Sequence, residues 1–209
     1  MSVLGSRAVT PRRRSILTLR LAAVIAVASV LAPPSAGATP AETAAQAAAR
    51  GLIDEAHAAQ AAAGIGPLTA VIARNFDIAF WERFILGRGG LGMTPAQRAE
   101  FRALLPAYIA RLYKNQLSGG DAGKPQVISS RVAFNDVFVK ARIPRGAGKQ
   151  PIPAEWRMSD STGSILVKDI VVGGTTFLVL KRSEFRGVVK REGVAAMLGR
   201  MRAIAEGRT

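Results

Sequence analysis

Few side chains in this 209-residue chain are equipped for covalent chemistry, and their placement does not gather them. His57 is the sole histidine and sits in an alanine-rich segment with Asp54 one turn away. A general base or metal ligand there would lack partners, so it reads as a solvated helix-surface residue. A Ser-His-Asp triad would need a serine on a strained strand-to-helix elbow, and no G-x-S-x-G occurs. Asp77, Glu82, Asp160 and Asp169 are candidates for the paired carboxylates of glycoside or proton-transfer chemistry. Nothing in their spacing makes them converge, and they read as caps, turns and ion pairs. Gly87 to Gly92 is glycine-rich, but no Lys-Ser/Thr follows and no strand precedes, so it reads as a helix stop and link rather than a phosphate loop. The chain has no cysteine, which excludes disulfides, thiolate metal sites and thiol nucleophiles. No enzyme activity, metal or cofactor is expected from this inventory.

The elements that would position these residues follow from periodicity and punctuation. Thr39 to Ala63 is alanine-rich and helix-prone, and Gly64 and Gly66-Pro67 interrupt it. A second helical segment, Leu68 to Ala73, leads to the apolar stretch Phe80, Trp81, Phe84, Ile85 and Leu86, which Gly87 stops. Thr94-Pro95-Ala96-Gln97 predicts a helix start: Thr94 as N-cap, Pro95 where a missing N–H costs nothing, Gln97 at the capping-box position. That helix carries Phe101, Leu104, Leu105, Tyr108, Ile109, Leu112 and Tyr113 on one broad face. Pro106 within it is expected to kink or split it, and Gly119-Gly120 to end it. From Lys124 the period becomes two, predicting strands over Val127 to Phe134, Val137 to Ile143, Ile152 to Met158 and Ile165 to Val172. Short connections predict an antiparallel meander. Two helical segments close the chain, one with Phe177, Lys181, Phe185 and Val188-Val189 on a face, the other with Val194, Leu198 and Met201. Helices, four strands, then helices make an α+β class.

Residues 1–38 read as a cleaved export signal. Five arginines with no acid precede the apolar run Leu21 to Leu31, and Ala36-Gly37-Ala38 offers small side chains for cleavage. Arg13-Arg14-Ser15-Ile16-Leu17 loosely resembles a twin-arginine leader. The remainder, 39–209, has the length of one domain. The leader holds five of the 29 basic residues and none of the 14 acids, which leaves 171 residues at a formal +10. Such a surface favours anionic partners. Nucleic acid is not expected as a partner of an exported chain that lacks the aromatic-interleaved basic stripe of a single-strand binder. Lys181, Arg182, Arg186, Lys190 and Arg191 cluster with only Glu184 and Glu192 nearby, and are expected to steer docking to partners or membranes.

Five blocks in order resemble the MlaC family, periplasmic phospholipid-binding proteins also called toluene-tolerance auxiliary proteins. They are Phe84-Ile85-Leu86-Gly87; Thr94-Pro95-Ala96-Gln97-Arg98 running into Phe101; Glu155-Trp156-Arg157; Val167-Lys168-Asp169-Ile170-Val171-Val172; and Lys181-Arg182-Ser183-Glu184-Phe185. The resemblance covers roughly residues 76–204. It implies a curved four-stranded antiparallel sheet packed on a helical bundle, with an apolar lipid pocket between them. It also implies a periplasmic carrier, not an enzyme, that shuttles phospholipid between an outer-membrane lipoprotein–porin complex and an inner-membrane ABC transporter, maintaining outer-membrane lipid asymmetry. The expected pocket lining is Phe84, Ile85, Ile109, Leu112, Val137, Val139, Trp156, Ile170, Val172, Phe177 and Phe185, with the strand residues among them assigned to the concave face by alternation. Two departures fall near the sheet edge: Ile165 where the family usually has tryptophan, and Gly173-Gly174 where it usually has Glu-Gly. They leave room for a hopanoid carrier of the same family. An enzyme on a cone-shaped α+β scaffold and a structural adaptor are the competing readings.

Overall fold

A computed structural model describes residues 37–117, 123–160 and 163–208. All but the last two positions of the expected leader, and the Gly119-Gly120 stop, lie outside these residues. Helix α1 (Pro40–Ala61) opens on a reciprocal capping box that periodicity had not pointed to. The Glu42 N–H donates to Thr39 Oγ1 at 3.3 Å, and the Thr39 N–H donates to the Glu42 carboxylate at 2.9 Å. Its buried stripe, Ala45, Ala49, Leu52, Ile53, Ala56 and Ala59, is mostly alanine and lets the helix backbone lie close to its neighbours. Helices α2 (Gly66–Asn75) and α3 (Ile78–Leu86) follow, and Asp77 caps α3 by accepting from the Phe80 N–H at 2.9 Å.

The expected cap of α4 (Pro95–Leu117) is present in both halves. The Thr94 N–H donates to Gln97 Oε1 at 3.0 Å, and the Gln97 N–H donates to Thr94 Oγ1 at 3.2 Å. Pro106 does not split this helix, which runs as one element through it. The side chains of Phe101, Leu105, Tyr108 and Ile109 are all buried around it, and this packing offsets the one backbone bond that the proline removes.

The sheet is the expected antiparallel meander, with β1 (Gln126–Ala133), β2 (Asp136–Ile143), β3 (Ile152–Asp160) and β4 (Ile165–Val172) in sequential order. A two-residue fifth strand, β5 (Thr175–Thr176), extends it by pairing with β4. Strand register aligns four rows of side chains on one face. They are Val137–Met158–Val167, Val139–Trp156–Ile170, Ala141–Ala154–Val172 and Ile143–Ile152. The helices cover this face. Gln46 on α1 donates to Ser130 Oγ at 2.7 Å, and Trp81 on α3 donates its indole N–H to the Val167 carbonyl at 3.1 Å.

Helix α5 (Phe177–Glu206) holds the two closing segments as arms, 177–192 and 194–206, separated at Gly193 with φ 85 and ψ 170. Its own N-cap, Thr176, makes no side-chain cap bond. Asp169 of β4 supplies one instead, accepting from the Leu178 N–H at 3.3 Å and the Ile170 N–H at 2.8 Å. Burial pushes the Asp169 carboxyl above its ordinary range, against the pull of those two N–H groups and the Arg157 charge. The other clamp joins α3 to α4. Glu82, 1% exposed, is held by Arg98 at 3.2 Å and by Arg102.

Removing Glu82 leaves two arginines that reach water, whereas Arg98→Ala with Arg102→Ala strands a buried carboxylate. The double variant should lose about 3–5 kcal/mol in denaturant unfolding and Glu82→Gln clearly less; equal losses would contradict this. A folded Asp169 that holds its proton more tightly than in the unfolded chain makes stability fall as pH rises from about 3.8 through its folded pKa. Asp169→Asn keeps an accepting oxygen and has no proton to lose. Wild type should therefore lose stability relative to this variant on going from acid to neutral pH, and parallel curves would refute the assignment.

Candidate functional site

The four carboxylates considered for catalysis are dispersed in structural tasks. Asp77 and Asp169 cap helices, and Glu82 clamps α3 to α4. Asp160 accepts from the Gly163 N–H at 2.8 Å in the turn between β3 and β4. His57 is exposed on α1, and among the described residues no three His, Cys, Asp or Glu side chains gather as a metal site would require.

What the fold does assemble is a cavity of ≈ 390 Å³ between the covered sheet face and the helices. The sheet contributes Trp156 and Ile170 from one row, and Ala154 and Val172 from the next, with Ile143 and Ile152 beyond. Ile109, Leu112 and Tyr113 of α4 stand opposite, and Phe177 and Leu180 of α5 close one side. Phe76 and Trp81 pack rings at 5.2 Å, and Trp81 and Phe177 at 5.4 Å, making an aromatic end wall. The space exists because the row holding Ala141 and Ala154 has no large side chain on the two central strands to meet α4. Where Val137, Met158 and Val167 line up instead, the interior is filled and all three are buried. Polar groups at the wall are few. Burial pushes the Tyr113 phenol up. Leu180 both lines the cavity and is 49% exposed, which puts an opening at the first turns of α5.

Of the eleven residues expected to line a pocket, the structure brings six to this cavity: Ile109, Leu112, Trp156, Ile170, Val172 and Phe177. It does not bring Phe84, Ile85, Val137, Val139 or Phe185 there. Val139 is fully buried in the same row as Trp156, beneath the cavity wall, and Val137 lies in the filled row. Ile85 is buried on α3, and Phe84 is half-buried with its ring near Phe80 and the Arg182 guanidinium. Phe185 packs its ring on Phe101 and Tyr108 on the far side of α4. The lining residues that pattern missed include Ile143, Ile152 and Ala154. The alternation from Val137 to Ile143 already placed Ile143 on the right face, and a small residue opposite another small one was the signal for a void.

The basic cluster also divides. Lys181 is 8% exposed and ion-paired to Glu184 at 2.7 Å, with its ammonium over the Tyr108 and Phe177 rings, so it is not part of a docking surface. Burial alone would lower its pKa, but the hydrogen bond to Glu184 helps turn the shift upward. Arg182 stacks on Phe84 and fills the space over Gly87. Arg186, Lys190 and Arg191 remain exposed. No described helix is long and apolar enough to cross a membrane.

Comparison with known proteins bears on the fold and its family. The chain is similar in structure to a phospholipid-binding protein from Ralstonia solanacearum solved in complex with a phospholipid. The TM-score is 0.63 at 17% identity, over 81% of this chain and 98% of that one. The family model described as MlaC protein matches residues 44–203, nearly the whole of the described fold. The chain therefore belongs to the MlaC family.

Proposed function

We propose that this protein is a periplasmic phospholipid carrier, taking acyl tails into the cavity between sheet and α4. It would shuttle lipid between an outer-membrane lipoprotein–porin complex and an inner-membrane ABC transporter, and so maintain outer-membrane lipid asymmetry. The observation that carries this reading is the cavity itself, walled by aliphatic and aromatic side chains and opening beside Leu180. The Ralstonia relative, of the same fold, holds a phospholipid, which supports lipid as the cargo. The basic leader with its small-residue site supports export of the chain.

Size and energy constrain how such a carrier works. At ≈ 390 Å³ the cavity lies toward the small end of the roughly 300–1,000 Å³ usual for ligand sites. A diacyl lipid therefore requires the helices to ease away from the sheet or a tail to extend past Leu180. Each methylene buried is worth about 0.8 kcal/mol, and a bilayer offers nearly the same. Tail burial cannot set a direction, so direction comes from docking partners and their ATP cycle. Arg186, Lys190 and Arg191 supply the exposed positive charge for that docking.

Organic extraction and mass spectrometry of the purified native protein should return stoichiometric phospholipid. A hopanoid would name a different cargo, and an empty extract would sink the carrier reading. Ile170→Asp and the cavity-filling Ala154→Phe should each reduce the lipid recovered at least about tenfold while circular dichroism stays native, since a carboxylate among tails costs several kcal/mol. Arg186→Glu with Lys190→Glu should weaken association with anionic vesicles several-fold at low salt and little at high salt; unchanged association would remove this arm from docking.

A further inference from the structure

The two arms of α5 enclose a second space, a groove of ≈ 450 Å³ lined by both arms and by Tyr108 of α4. Its floor is apolar, with Phe185, Val188, Met197 and Met201 all buried. Its charges are unequal. Glu184 is neutralised by Lys181 at 2.7 Å, and Arg200 is paired with Glu192 across the Gly193 break. Arg191 has no ion-pair partner among the described residues, and its guanidinium lies back along the helix. Arg191 Nη1 is 3.2 Å from where a Cβ on Gly187 would sit. Gly187 is helical and has no positive φ, so its missing side chain serves no turn and instead lets the Arg191 guanidinium lie against the helix inside the groove. From Leu180 to Gly187, beside which the guanidinium lies, the groove runs on the order of 10 Å at about 1.5 Å per helical residue. That accommodates roughly eight methylenes with C–C bonds of about 1.5 Å, and a longer tail runs on past the exposed Leu180.

We propose that this groove is a separate binding site for a single-chain anionic amphiphile, a fatty acid or a monoacyl phosphate. The tail lies on the Phe185–Met201 floor toward Leu180, and the acid group is received by Arg191. An apolar floor selects a hydrocarbon chain, and one uncompensated guanidinium at one end selects an anion over a neutral head. The site does not depend on phospholipid carriage by the first cavity, with which it shares only Leu180.

The test is titration of laurate, and in parallel lauryl phosphate, into purified protein carrying 13C-methyl methionine. The Met197 and Met201 resonances should shift saturably with at least one ligand, while Met158, buried under the sheet, serves as the control. Gly187→Leu, which fills the groove and displaces only the flexible end of Arg191, should abolish those shifts. Arg191→Gln should weaken binding about tenfold and remove the preference over lauryl alcohol. Unmoved Met197 and Met201 with both ligands would overturn the proposal, as would unchanged binding in Gly187→Leu or equal affinity for the alcohol. Failure of lipid extraction from the first cavity would leave these shifts intact, so the two readings fail separately.

Discussion

One face of the β-meander has to be removed from water, and everything else in the fold is arranged around how completely that is done. Four rows of side chains face the helices. A row with Val137, Met158 and Val167 closes on them, and the row with Ala141 and Ala154 falls short. Interiors are ordinarily packed to the density of organic crystals, so a gap of this size forgoes dispersion contacts along its whole wall. The chain holds the gap open with rigid aromatic side chains, Trp81, Phe76 and Phe177, stacked as its end wall rather than collapsed into it.

Charge does the work of registration at the margins. Asp136, buried at the start of β2, receives Arg157 of β3 and Lys168 of β4, so three strands are pinned by one carboxylate. Glu82 pins α3 to α4, and Asp169 pins α5 to β4. Buried ions of this kind contribute little net stability compared with apolar replacements of equal volume. They discriminate between correct and slipped arrangements, because a slip leaves a carboxylate in the interior without its partner. A fold that keeps a hollow cannot rely on tight packing alone for that discrimination.

Much of this was legible in the residues. The Thr94–Gln97 capping box, the four long strands, the meander and the break between two closing helical segments all follow from short-range patterns, and all are present. Period-two alternation identified the face of β2 correctly. It could not say which rows on that face are filled, because that depends on what α4 brings opposite. Val139 and Val172 look alike in sequence, yet only Val172 borders space. Pro106 does not split α4 for a related reason: local propensity argues for a break, and the buried neighbours on α4 hold the helix as one element. Lys181 was counted with the basic cluster although its place on the face with Phe177 and Phe185 already turned it inward, where Glu184, three residues on, pairs it beside the Tyr108 ring. Ala154 was missed because the void is signalled by its pairing with Ala141 across two strands, which appears only once the register is known.

The backbone at Gly193 occupies a region of φ/ψ that is essentially closed to every residue with a Cβ. Were this position to carry any other side chain, the two arms would be drawn toward a single straight rod of about 45 Å at 1.5 Å per residue. Met197, Leu198 and Met201 would then swing out of the bundle, and the outer side of α4 would be laid bare to solvent. One hydrogen atom in place of a methyl thus decides whether residues 194–206 are a lid on the helical layer or a projecting spar.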